Sequence, residues 1–149
     1  MFTLRRMLLP DFEEVVDMYY NFTKEVFPER TVGERYFFYK EVMSWIDNRR
    51  DVILVVKDDT IVGFSMCYID DNSGLTNPIY NGVIAYVKQD YRKTRAAYML
   101  YKNMSDYANE LKMTITANGL VTNGVSNMIG KHFECNEMFM NFERTYKKD

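Results

Sequence analysis

At 149 residues with 47% hydrophobic content, the chain is long enough to bury one sizeable core, and a single domain over residues 1–149 is expected. Charged residues make up 27% and the formal net charge is −2, which argues against a nucleic-acid binder, a role that needs a basic surface. Cys67 and Cys135 lie in hydrophobic surroundings and belong to no CxxC or Cys/His cluster of metal-ligand spacing, so they read as reduced core thiols and no metal is expected. The first ten residues hold no apolar run of signal-peptide length and no segment approaches a membrane span, so a cytoplasmic location without a membrane partner is expected.

Phe2 to Met7 alternates enough for a short opening or edge strand. Pro10 and Asp11 supply a helix start, and Phe12, Val15, Val16, Tyr19, Phe22 and Val26 recur at helical spacing, so a first helix is predicted from Asp11 to Glu25. After Pro28, Thr31-Val32-Gly33-Glu34 has the form of a capping box, in which hydroxyl and carboxylate reciprocally satisfy free backbone donors. A second helix is predicted from Val32 to Asn48. Its run Tyr36, Phe37, Phe38, Tyr39 covers all sides, which suits broad burial or, alternatively, the wall of an open groove.

Asp51 to Lys57 is a buried-strand run, and Asp58-Asp59-Thr60 makes a tight turn into Ile61 to Ile69, predicting an antiparallel hairpin. Asp70 to Pro78 reads as a longer loop, and Tyr80 to Val87 as another strand. After Arg92 an apolar stripe of Ala97, Leu100, Tyr101, Met104, Tyr107, Ala108 and Leu111 marks a helix that packs on the sheet. Lys112 to Ala117 is a β-branched strand, predicted to pair parallel to Tyr80–Val87 through a right-handed crossover. Asn118-Gly119 and Asn123-Gly124 punctuate the turns around Leu120 to Thr122. Ser126 to His132 suits a short helix, and Met138 to Tyr146 a closing strand. The pattern predicts an α/β (α+β) domain, with a mixed, mostly antiparallel sheet of six to seven strands flanked by about four helices.

The segment Val87 to Leu100 carries the most chemistry. Arg92, Lys93 and Arg95 fall where a strand runs into a helix, and there the unpaired N–H groups and the helix dipole already make the field positive. An anion is what would offset such an arrangement, so this is a candidate phosphate site. Asp70 and Asp71 follow a strand and are candidates to attract a cationic group, although paired acids at a turn are more often simply solvated. Tyr80 and Tyr86 lie on the central strand as candidate catalytic groups or as packing residues. The one histidine, His132, fits a helix end or core better than a catalyst.

In the order of its elements the chain resembles the Gcn5-related N-acetyltransferase (GNAT) family. At motif level the resemblance rests on Val87 to Leu100. The family's acyl-CoA loop reads Arg or Gln, two residues, Gly, one residue, then Gly or Ala. Arg92-Lys93-Thr94-Arg95-Ala96-Ala97 fills that frame with Arg92 first and Ala97 last, and Arg95 stands where the family has Gly. The resemblance implies that Val87 and Arg92 to Ala97, that is Arg92, Lys93, Thr94, Arg95, Ala96 and Ala97, hold the pyrophosphate of acetyl-CoA or CoA. It implies a splay between Val83–Val87 and Thr114–Ala117 that admits pantetheine, and backbone N–H groups near Ala85 to Val87 that stabilise an oxyanion. Gly82, at the head of the first of these strands, suits a bulge or a turn.

Many family members place a Tyr acid on the short helix after the fifth strand. Ser126 and His132 are the substitutes available here, so the catalytic candidates are Tyr80, Tyr86 and Ser126. The implied activity is acyl-CoA-dependent N-acyl transfer, acetyl above all, to a small-molecule or peptide amine, with room for a homodimer. The alternative is a catalytically inactive GNAT-fold binding or structural protein, because Arg95 and the missing Tyr are two departures at once. Degenerate members of about this size also occur in bacteriophages.

Overall fold

Strand β1 (Phe2–Arg6) leads through a 3-10 turn at Leu9–Asp11 into helix α1 (Phe12–Val26). The computed structural model describes residues 1–27, 33–71, 78–118, 136–138 and 141–144. Asp11 starts the helix without capping it. Its carboxylate instead accepts two hydrogen bonds from the Arg5 guanidinium, at 2.7 and 2.9 Å, and one from the Leu8 N–H at 2.8 Å, which pins β1 to the head of α1. Only 9% of Asp11 is exposed, and the bonds from Arg5 hold its carboxyl below the usual 3.8.

Helix α2 (Arg35–Asp47) begins three residues later than expected. Glu34 is not the third residue of a helix; it is the N-cap itself, extended at φ −64° and ψ 152° and without a side-chain capping bond, while Thr31 and Val32 lie outside the described residues. The aromatic run divides by helical geometry. Phe38 shares the inward stripe with Val42 and Trp45, whereas Tyr36 and Phe37 are 66% and 51% exposed.

Strands β2 (Asp51–Lys57) and β3 (Thr60–Asp70) form the expected hairpin. Both turn residues, Asp58 and Asp59, take left-handed φ of 49° and 64°, a conformation Asp tolerates better than most side chains and one that matches strand twist. Strand β4 (Ile79–Val87) pairs antiparallel with β3 along its length, helix α3 (Ala96–Glu110) crosses back, and β5 (Thr114–Asn118) joins parallel to β4. The single closing strand expected from Met138 to Tyr146 is instead a pair, β6 (Asn136–Met138) and β7 (Asn141–Arg144), antiparallel to each other, with β7 against β5. Residues 119–135, the expected short strand and short helix among them, and residues 145–149 lie outside the described part. The result is a seven-stranded sheet in the order β1-β2-β3-β4-β5-β7-β6, of which only the β4–β5 pair is parallel.

Three α-helices among the described residues cover the sheet. On one face α1 and α2 bury Val15, Val16, Phe38, Val42 and Trp45 against Leu54, Phe64, Ile84 and Tyr86. On the other, α3 sets Leu100 against Val55, Val62 and Val87, and Tyr101 and Met104 against Cys67, Tyr80 and Ile115. Each fully buried Val or Leu contributes about 1.5–3 kcal/mol relative to exposure. Gly63 has no room for a side chain, since a Cβ there would stand 2.5 Å from the Tyr86 carbonyl oxygen.

Candidate functional site

Strand β4 has different partners on its two edges. Toward β3 it is paired from Ile79 to Val87. Toward β5 the described pairs run Ile79 with Thr114, Tyr80 with Ile115, Asn81 with Thr116 and Gly82 with Ala117. β5 is described as far as Asn118, and among the described residues Ile84 to Val87 have no strand partner on that edge. A β-bulge follows on the other edge: Met66 faces Ile84 and Cys67 faces Gly82, which leaves Val83 as the extra residue relative to β3. Gly82 therefore lies inside the strand, at the bulge, and not in a turn. Open backbone of this kind is a docking edge for an extended amide-containing ligand.

The second half of β4 leads to the head of α3. After Val87 come a 3-10 turn, Gln89–Tyr91, and then Arg92 to Arg95. The backbone N–H groups of Lys93, Arg95 and Ala97 donate to no backbone carbonyl among the described residues, as expected at a helix start. Arg95 has φ −76° and ψ −2°, ordinary right-handed geometry, so this position does not require a glycine's freedom. Its side chain lies along its own helix, with the guanidinium carbon 5.5 Å from the Tyr98 ring centre, in a groove shared with Phe2, Met99 and Lys102. Thr94 bonds locally, its hydroxyl donating to the Tyr91 carbonyl and accepting from the Ala96 N–H at 3.3 Å.

Arg92 is the best-held member of the cationic triplet. Its Nε donates to the Val87 carbonyl at 2.8 Å, its Nη2 contacts both Glu25 oxygens at 2.8 and 2.6 Å, and its guanidinium lies 5.5 Å from the Tyr86 ring centre. Lys88 forms a second tie, to Glu14. Two acids of α1 thus clamp the β4–α3 connection and leave Lys93 and Arg95 exposed. Neither Glu14 nor Glu25 stands out in the sequence, because each meets its partner across a long stretch of chain.

The catalytic candidates are dispersed. Tyr80 faces α3, fully buried, and donates to the Asp51 carboxylate at 3.1 Å; burial and the neighbouring acid push its hydroxyl far above its ordinary value. Tyr86 faces the α1–α2 side beside Phe64, and burial raises its hydroxyl too. Ser126 and His132 lie outside the described residues. Among the described residues no cluster of His, Cys, Asp and Glu is arranged to hold a metal ion, and no helix is long and apolar enough to cross a membrane.

Among the described residues the sheet is seven-stranded and mixed, and its one parallel pair, β4–β5, is bridged by a helix that starts just after β4. The chain belongs to the acetyltransferase (GNAT) family, whose profile matches residues 9–125. No curated protein sequence matches it. Solved structures share the fold at low identity. A GNAT superfamily phosphinothricin acetyltransferase from Sinorhizobium meliloti, in complex with acetyl-CoA, superposes at TM-score 0.77 and 10% identity over 97% of this chain and 88% of that one. A GNAT family acetyltransferase from Staphylococcus aureus Mu50 matches at 0.74 and 12%, over 99% of this chain and 100% of that one. A PaiA N-acetyltransferase from Thermoplasma acidophilum, in complex with coenzyme A, matches at 0.69 and 13%, over 98% and 99%.

Proposed function

We propose that the chain is an acyl-CoA-dependent N-acyltransferase, with acetyl as the transferred group and a small-molecule or peptide amine as acceptor, acting in the cytoplasm as a single domain over residues 1–149. One observation carries the reading: β4, bulged at Val83, runs through Ile84 to Val87 into a helix start where the N–H groups of Lys93, Arg95 and Ala97 donate to no backbone carbonyl among the described residues. The acyl-CoA complexes of structural neighbours support it.

In this reading the cofactor residues are Val87, Arg92, Lys93, Thr94, Arg95, Ala96 and Ala97. Lys93, Arg95 and Ala97 supply backbone donors and, from the first two, charge, while Arg92 holds the loop in place through Glu25 and Val87. Pantetheine amides take the place of β5 along Ile84 to Val87. The neutral amine attacks the thioester carbon, the C–S bond breaks, CoA leaves as thiolate and the amine sheds a proton. Backbone N–H groups near the bulge stabilise the developing oxyanion, so proximity and fixed dipoles supply most of the acceleration.

Thermal-shift titration with acetyl-CoA and CoA tests the reading. At a hundredfold excess over Kd, binding adds about 2.7 kcal/mol, which raises Tm by roughly 5–10 °C in a domain of this size. No shift at millimolar cofactor overturns it. Binding with no turnover of any amine assigns the chain to the catalytically inactive alternative.

A further inference from the structure

The connection between β4 and α3 is tied to α1 at two places, and the two ties differ in kind. Lys88 pairs with Glu14 in the first turn of α1, and its own N–H donates to the Val62 carbonyl at 2.8 Å, so this end of the connection is fixed to helix and sheet at once. Arg92 pairs with Glu25, the next-to-last residue of the same helix. The two acids stand at opposite ends of α1.

The tie to Glu25 is the more easily exchanged. Arg92 Nε is committed to the Val87 carbonyl at 2.8 Å, and a single nitrogen, Nη2, carries both Glu25 oxygens, at 2.8 and 2.6 Å. A carboxylate is held best side on by two nitrogens, so one shared nitrogen is a weaker seat. The Arg92 and Glu25 side chains are 28% and 36% exposed, which lets water and salt reach the pair and keeps its net contribution small. The guanidinium is nevertheless well placed, because the Val87 bond and the Tyr86 ring fix it whichever anion sits on Nη2.

The position of Arg92 in the chain supplies the competing anion. It directly precedes Lys93, the first of the three residues whose N–H groups donate to no backbone carbonyl among the described residues. A phosphate received by those groups stands within the span of the Arg92 side chain. A diphosphate carries more charge and more acceptor oxygens than a carboxylate, and so it takes the guanidinium.

We propose that Glu25 is an internal competitor for the cofactor phosphate: without cofactor its carboxylate occupies Nη2 of Arg92, and the diphosphate of acyl-CoA displaces it while the bond to Val87 stays. This rests on the acyltransferase reading. Displacement frees the last turn of α1, whereas the Lys88–Glu14 pair keeps the start of the helix docked. The state of the site is thereby carried from the head of α3 to the end of α1, two helices on opposite faces of the sheet.

Calorimetric titration with acetyl-CoA gives Kd for the wild type, Glu25→Gln, Arg92→Ala and the double variant. Failure of the wild type to bind removes the acyltransferase reading and this inference together; every other outcome bears on the inference alone. Glu25→Gln is expected to bind about two- to fivefold more tightly, which is what a half-exposed ion pair is worth, and Arg92→Ala about tenfold more weakly. With Arg92 already removed, Glu25→Gln is expected to change nothing. Unchanged or weaker binding by Glu25→Gln overturns the proposal, and so does undiminished binding by Arg92→Ala. The same tightening in the Arg92→Ala background also overturns it, since plain charge repulsion would then account for the effect. A second measurement needs no variant: amide hydrogen exchange over Thr23 to Val26 is expected to be faster in the acetyl-CoA complex than in the free protein, and equal or slower exchange sinks the idea.

Discussion

Arg92 and Glu25, 67 positions apart in sequence, meet as a two-contact ion pair of 2.8 and 2.6 Å that ties the last turn of α1 to the loop between β4 and α3. The same guanidinium reaches back to the Val87 carbonyl, so one side chain fixes the end of the open strand, the loop and the helix beside it.

Removing the two partners should therefore have unequal effects. Glu25→Gln leaves the Val87 bond intact and is expected to cost about 0.5–1 kcal/mol, a loss that shrinks in 1 M salt. Arg92→Ala loses the pair, the Nε bond and the Tyr86 ring contact together, at about 1–2 kcal/mol. Urea denaturation of both variants at low and high salt checks the ranking; equal losses would mean that the Val87 bond contributes nothing.

Gly63→Ala is expected to destabilise by about 3 kcal/mol, because the added methyl meets the Tyr86 carbonyl at 2.5 Å and Val55 Cγ1 and the Val87 Cα at 3.1 Å. Two of those neighbours are backbone and cannot rotate away. Equilibrium unfolding measures this, and a loss under 1 kcal/mol would show that β4 yields easily at its open end.

Asp11 should set part of the acid limb of stability. Arg5 lowers its folded-state pKa below the ordinary 3.8, so the stabilisation is present in full above that value and is lost as pH falls through the lower, folded-state value. Asp11→Asn keeps the shape but not the charge. The variant is expected to be less stable by about 2 kcal/mol at pH 7 and to show a shallower loss of stability on acidification. Urea midpoints measured from pH 7 down to pH 2 would expose a parallel decline if Asp11 plays no part.

Cys67 is 1% exposed, and burial pushes its thiol up to about 12. At pH 8 a thiol reagent should reach it only through unfolding, with a rate that climbs as urea is added. Site-resolved mass spectrometry follows this; labelling faster than unfolding would place Cys67 in a locally opening region.

The β2–β3 hairpin is legible in the sequence because the turn chemistry of Asp58-Asp59 and two apolar runs agree. The parallel β4–β5 pair is legible from the strand–helix–strand order. The start of α2 is not, because Thr31 to Glu34 has the spacing of a capping box while Glu34 itself is the cap. The split into β6 and β7 escapes a reading that sees one polar–apolar alternation from Met138 onward. Arg92 and Arg95 are visible as charges, but their different fates are not, since Glu25 comes from a distant helix and the backbone angle at Arg95 leaves no trace in composition. A bulge is a relation between strands, so Val83 cannot be recognised from β4 alone.

The unequal edges of β4 give its second half an unusual standing. From Ile84 onward its only strand partner among the described residues is β3, although it lies in the middle of the described seven-stranded sheet. Exposed outer strands invite intermolecular pairing and are commonly protected by charge or cover. Here the stretch stands in the middle of the strand order, with β1 and β6 as the outermost strands. Its place inside the sheet, away from both outer edges, makes it a poor seam for joining sheet to sheet.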